Sequence, residues 1–244
     1  MPNLFQKKPA SKKYFVLAVS AIIIITAIIL EISNTTGKNK KVAIKPLPKI
    51  SGVQAQSYVA SSSPEINSED KVYGASDGKL KIFVYEDYAN LYSAKLADTL
   101  EKVKQDNNNI SIIVRPFFQN ISSNLISREA ALAMACSKDQ WLGMRALLFA
   151  QVKNDQFNIN NFSANAKQLG LDENEFNTCL TNPEKFRTIE KSLEEAKAYS
   201  VVGVPTIFVG DEMIPGARPY EDYVDSNGDN IEGLKKVIDR KMVQ

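Results

Sequence analysis

Few residues in this chain could do chemistry near neutral pH. The 244 residues include no histidine and only two cysteines, Cys136 and Cys179. Without histidine there is no near-neutral acid–base group, no Ser-His pairing and no imidazole metal ligand. Two cysteines cannot build a four-thiolate zinc site. The run from Asp225 to Gly233, DSNGDNIEG, has some of the character of a calcium loop. However, Gly228 stands at its fourth place instead of its sixth, and Lys236 replaces the glutamate needed at the twelfth. It reads as a solvated turn, and we expect no metal and no cofactor. The one stretch placed where chemistry is usually found is Lys79–Ser93, KLKIFVYEDYANLYS. It reads as a strand, a tight polar turn and a helix N-terminus, a junction that many α/β folds use as a site. Ser93 is the aliphatic hydroxyl at the expected helix start. It reads as an N-cap, because a serine nucleophile would need a base that the chain lacks.

The elements that must position this junction follow from hydrophobic period. Leu80, Ile82, Phe83, Val84 and Tyr85 form a short apolar run suited to a strand buried on both faces. Leu96, Leu100 and Val103 then recur at helical spacing, so a helix is expected from about Ser93 to Asp106. Ile110–Val114 is a second short apolar strand. With one helix as the crossover, the two strands should be parallel. A helical block follows from about Ser127 to Ser200. Within it Asp172 and Glu175 form a capping box, and Asn182-Pro183 marks the start of a long helix. The chain then returns to strand with Ile207–Val209, a Gly210-Asp211 turn and Glu212–Ile214, which read as a hairpin. A final helix is expected over about Ile231–Met242.

Charge divides the chain. Residues 1–41 carry seven lysines and one acid, and the remainder carries 23 basic and 27 acidic residues. A mildly acidic body argues against a nucleic-acid partner. Tyr14–Leu30 is uncharged, and Lys7, Lys8, Lys12 and Lys13 precede it. This pattern predicts a spanning segment over 14–32 with residues 1–13 in the cytoplasm and the rest outside. The run ends in bulky Ile-Ile-Leu-Glu-Ile with no small-x-small cleavage site close behind, which favours an anchor over a removed leader. Residues 33–71, rich in Lys, Pro, Ser and Asn, read as a flexible tether, and residues 72–244 as the folded domain. In an exported domain the two cysteines are expected to pair, the alternative being two buried thiols acting as small apolar side chains.

The order β-α-β, helices, β-β-α, with Gly203-Val-Pro-Thr206 ahead of its third strand, resembles the thioredoxin fold. The helical block, about 117–200, resembles the insertion of its DsbA-like branch. Tyr85-Glu-Asp-Tyr88, Ala130–Cys136 followed by Trp141, Phe176–Leu180 and Gly216-Ala217 with Pro219-Tyr220 match that branch in order. Aligning on Asp87-Tyr88 puts the branch's Cys-x-x-Cys positions at Asn90 and Ser93, in Asn-Leu-Tyr-Ser. Both sulfurs are absent, and neither asparagine nor serine can form or resolve a mixed disulfide. The resemblance further implies that Pro205 is the loop proline facing the motif, that its bond is cis, and that the Val204 backbone can pair with an extended peptide. Leu91 and Tyr92 would flank it.

Three functions fit these residues. The first is a membrane-tethered, extracytoplasmic, redox-inactive domain that binds extended polypeptide or an envelope partner. The second is an envelope thiol–disulfide oxidoreductase using Cys136 or Cys179. The third is a purely structural anchored domain. For topology, protease added to intact spheroplasts is expected to digest the globular part. Protection of that part would overturn the orientation, and a mature N-terminus beyond residue 30 would overturn the anchor.

Overall fold

In the computed structural model, which describes residues 57–60 and 62–243, β3 (Leu80–Glu86) is the strand on which the rest is laid. Its side chains alternate between two cores. Ile82 and Val84 join a cluster with Leu96, Leu100, Val237 and Ile238, whereas Phe83 and Tyr85 join one with Phe208, Met144 and Leu193. A strand apolar at both parities is thus covered on both faces, as its composition requires. The first cluster is roofed by α1 (Leu91–Asp106) and α7 (Leu234–Met242). The second is roofed by the helical insertion.

β4 (Ile110–Pro116) pairs parallel with β3, with Leu80 opposite Ile110. β5 (Thr206–Val209) pairs antiparallel with β3, and β6 (Glu212–Pro215) closes the expected hairpin through the left-handed Gly210. β1 (Tyr58–Val59) and β2 (Lys71–Gly74) complete a six-stranded sheet of order β1-β6-β5-β3-β4-β2. These two edge strands revise the expected tether. Tyr58 pairs with Met213, Lys71 pairs with Val114, and the side chain of Asp70 is buried, so the folded part begins before residue 72. The last helix also starts later than Ile231, which instead pairs in a short hairpin of β7 (Tyr223–Val224) and β8 (Asn230–Ile231). The expected span over 14–32, its cytoplasmic tail and tether residues 33–56 lie outside the described residues. Among the described residues no helix is long and apolar enough to cross a membrane.

The insertion comprises α2 (Leu125–Cys136), α3 (Trp141–Lys153), α4 (Phe162–Gln168), α5 (Glu173–Leu180) and α6 (Pro183–Ala198). Its caps are those expected. Asp172 accepts from the Glu175 N–H at 2.8 Å, and Asn182 accepts from the Glu184 N–H at 2.9 Å with Pro183 as the first helical residue. Two buried guanidinium groups tie it to the sheet. Arg145 of α3 grips Glu86 with two bonds of 2.7 Å. Arg115 of β4 grips Asp70 with two more of 2.7 Å and reaches Glu195 of α6 at 3.1 Å. Burial works against the charge on both arginines, but the carboxylates outweigh it and hold both well above the ordinary guanidinium value.

Cys136, the last residue of α2, is bonded to Cys179 in the last turn of α5, with a Cα–Cα distance of 5.8 Å. The pair spans 43 positions, and loop-closure entropy over that length corresponds to at most about 4 kcal/mol. We therefore expect dithiothreitol, or Cys136→Ala with Cys179→Ala, to lower the urea-unfolding free energy by up to that amount. Two freely alkylated thiols in protein isolated without reductant would contradict the pairing.

Candidate functional site

The register of the sheet decides which loops meet. Tyr85 lies opposite Thr206, and Glu86 lies opposite Pro116. The turn after β3, the loop before β5 and the segment after β4 therefore leave the same end of the sheet. Phe117 confirms this closeness, because its N–H donates to the Glu86 carbonyl at 2.9 Å.

The turn is held by a polar network in which both aligned positions take part. Asn90, not Ser93, is the N-cap of α1. Its side-chain oxygen accepts from the N–H groups of Tyr92 at 2.8 Å and Ser93 at 3.0 Å. Ser93 sits one turn inside the helix and is fully buried, and its Oγ accepts from the Asp87 N–H at 3.2 Å. The helix therefore opens at Leu91, ahead of the expected start. Asp87 receives the Ala89 N–H at 2.9 Å on one carboxylate oxygen and the Ser127 hydroxyl at 2.6 Å on the other. This last bond docks the start of α2 against the turn.

A thiolate at a helix N-cap would draw on the N–H groups and the positive end of the helix dipole. Here the asparagine carboxamide already accepts two of those N–H groups. The buried hydroxyl of Ser93 has no imidazole beside it and serves the backbone of the turn. The arrangement can cap and orient a helix, but it holds no group able to exchange sulfur.

The facing loop is different. The Val204-Pro205 bond is cis. The Pro205 carbonyl accepts from the Gly216 N–H at 2.7 Å, and the Thr206 hydroxyl donates to the Gly203 carbonyl at 2.8 Å. Among the described residues, the Val204 N–H and C=O have no hydrogen-bond partner. Val202 is 76% exposed, and across the site Leu91 and Tyr92 are 43% and 59% exposed. Next to the loop lies a groove of about 600 Å³ with Phe117, Phe118, Ile121, Leu193 and Val201 in its walls. The Gln119 side-chain amide donates to the Val202 carbonyl and joins the two segments that form it.

The structure thus places Asn90, Leu91, Tyr92 and Ser93 on one short segment, and Val204 and Pro205 at the same sheet end. Cys136 and Cys179 are elsewhere, bonded to each other. Each lies in the last turn of its helix, where the partial negative charge opposes a thiolate. Sequence reasoning used Asp87 only as an alignment anchor and gave it no role, and it missed Ser127 and the groove residues. The pair Phe117-Phe118, just past the Pro116 that ends a strand, was the available signal for the groove. Ser127 is 40 positions from Asp87 and carried no signal.

Burial raises the Asp87 carboxyl above its ordinary value of 3.8, against the pull of the bonds from Ser127 and Ala89. The folded protein thus retains this proton at pH values where the unfolded chain has released it. The resulting loss of stability is absent below 3.8, grows as pH rises through the folded value, and is complete above it. Asp87→Asn removes the titration and keeps an acceptor for Ala89. We expect the urea-unfolding free energy of wild type, relative to this variant, to fall as pH rises from 3.8. A difference that does not vary with pH would contradict this placement of Asp87.

Among curated proteins, none matches the chain. Solved structures do. A thioredoxin-like oxidoreductase from Silicibacter pomeroyi DSS-3 is 18% identical with a TM-score of 0.57, covering 73% of this chain and 95% of its own. The thiol-disulfide exchange protein alpha-DsbA2 from Wolbachia pipientis is 19% identical with a TM-score of 0.56, covering 71% and 88%. A periplasmic thioredoxin-like protein from Salmonella enterica serovar Typhimurium is 24% identical with a TM-score of 0.53, covering 72% and 91%. At these identities the likeness establishes a shared DsbA-like thioredoxin fold. The family model described as thioredoxin matches residues 67–226. With that match over most of its length, the chain belongs to the thioredoxin family.

Proposed function

We propose that this is a membrane-tethered, extracytoplasmic docking domain that binds extended polypeptide, free or as part of an envelope partner, and performs no thiol–disulfide exchange. One observation carries the reading. At the turn where the family's motif aligns, Asn90 caps α1 and Ser93 is buried inside the helix, while the facing loop keeps an unpaired backbone at Val204, beside a groove in which Phe117, Phe118, Ile121, Leu193 and Val201 stand among polar and charged lining residues. Chemistry has left the site and the docking surface has stayed. The unpaired N–H and C=O of Val204 offer an edge for an extended strand, the usual way a backbone is captured without regard to sequence. Tyr92, Leu91 and Val202 supply exposed apolar contacts on either side. The tether rests on the lysines before Tyr14–Leu30, and an extracytoplasmic setting is in keeping with the periplasmic location in the name of the Salmonella protein.

Full-length protein in lipid nanodiscs should bind a labelled, reduced and carboxymethylated unfolded polypeptide saturably, by fluorescence anisotropy. Tyr92→Glu and Val202→Glu should each weaken that binding about tenfold, the loss of a contact worth somewhat over 1 kcal/mol. The same protein should leave insulin disulfides unreduced and model dithiols unoxidised. Absence of saturable binding would leave only a structural anchor. Turnover abolished by Cys136→Ser or Cys179→Ser would assign the chemistry to those cysteines instead.

A further inference from the structure

A second cavity, of about 340 Å³, lies on the other side of α6 from the groove. Its walls come from the segment entering β2, the end of β4, α2 and α6. The floor is apolar, with Val114, Ala131, Met134 and Ile189. Its size and apolar lining are those of a small-ligand pocket.

Two features separate it from a packing defect. Tyr88 lines the cavity and is 2% exposed, yet its hydroxyl has no hydrogen-bond partner among the described residues. Among the described residues the fully buried side-chain hydroxyl without a partner is that of Tyr73; the Tyr88 oxygen keeps some accessible surface at the cavity wall, where a ligand can take up its free hydrogen-bonding capacity. Burial holds this phenol well above its ordinary value, so it is present as a donor. The second feature is the charge. Asp70 and Glu195 both line the cavity, but both are engaged by Arg115. The remaining charged lining residues are Lys71, Lys185, Lys191 and Glu69, and none of the four forms an ion pair among the described residues. The lining as a whole carries four cations and three anions, a net of +1, and three of the cations, Lys71, Lys185 and Lys191, are outside any ion pair among the described residues, around an apolar floor with one unpaired donor.

We propose that this cavity binds a small amphipathic carboxylate, with its apolar body on the Val114–Met134–Ile189 floor, Tyr88 as hydrogen-bond donor and the lysines as charge partners. Two sources carry that chemistry, a free aryl or alkyl acid and the C-terminal residue of a polypeptide. The site is separate from the peptide groove, so its occupancy does not depend on the docking function.

The test is calorimetric titration of full-length protein in nanodiscs with 4-phenylbutyrate. Protein-free nanodiscs provide the blank, and 4-phenylbutyramide is the neutral control. Saturable binding of the acid is expected, with the amide at least fivefold weaker. Tyr88→Phe should weaken the acid at least fivefold, as loss of a hydrogen bond to a charged group implies. Lys185→Gln with Lys191→Gln, surface changes that leave the core intact, should weaken it and flatten its salt dependence. No saturable binding, equal affinity for acid and amide, or insensitivity to both sets of variants would overturn the proposal. A tetrapeptide ending in free phenylalanine and its C-terminal amide then distinguish the sources. Selective binding of the free-acid peptide identifies a polypeptide terminus as the ligand, and binding of 4-phenylbutyrate without either peptide identifies a free small acid.

Discussion

The placement of the site depends on the pair between Glu86 and Arg145. Glu86 is the last residue of β3, directly before Asp87-Tyr88, and Arg145 is in the middle of α3. Both side chains are almost wholly removed from water, 0% and 5% exposed. A buried pair of this kind adds little net stability over apolar residues of the same shape, because desolvation offsets most of the attraction. Removing one partner, however, strands a charge in the core at a cost of about 3–5 kcal/mol. Its two parallel bonds also fix direction as well as distance. The insertion is therefore held in one orientation at the sheet end where the turn begins. Tyr73 and Phe149 stack against the guanidinium and keep that corner closed.

Arg115 repeats the arrangement one strand away. It joins Asp70, ahead of β2, to Glu195 on α6, and its guanidinium lies 5.0 Å from the Phe83 ring centre. Among the described residues Tyr85 donates to no carboxylate. It accepts from Arg115, and burial pushes its phenol up to about 12 despite the adjacent cation. Together the two arginines fasten the entering chain, the sheet and both walls of the site. The turn itself can then be held by a cap without loss of the scaffold. The Ser127 bond to Asp87 and the Asn90 cap are local adjustments within a frame set by the arginines.

Much of this frame was legible in the sequence, for a definable reason. β3, α1, β4 and the β5–β6 hairpin each carry their own period, since each buries side chains at 2.0 or 3.6 residue spacing. The caps at Asp172 and Asn182 are local, and local signals survive in a single sequence. The edge strands were not legible. Lys71–Gly74 has four residues and Tyr58–Val59 two, and each becomes a strand only because β4 or β6 presents an open edge. The choice between Asn90 and Ser93 as cap was undetermined for a similar reason. Both are good capping residues three positions apart, and what decides between them is the burial of Ser93 under Asp87, a tertiary fact. The Glu86–Arg145 and Arg115–Asp70 pairs join residues 59 and 45 positions apart, and nothing in the composition pairs them.

The central claim is that the site differs from a working thiol–disulfide site chiefly by two missing sulfurs. The most direct measurement restores them, as Asn90→Cys with Ser93→Cys in the full-length protein. The account predicts that oxidant joins the two thiols and that the thiol at position 90, at the helix N-cap, titrates below about 8.5, the free-cysteine value. A folded double variant whose thiols cannot be joined would contradict the alignment and, with it, the placing of the motif positions at Asn90 and Ser93.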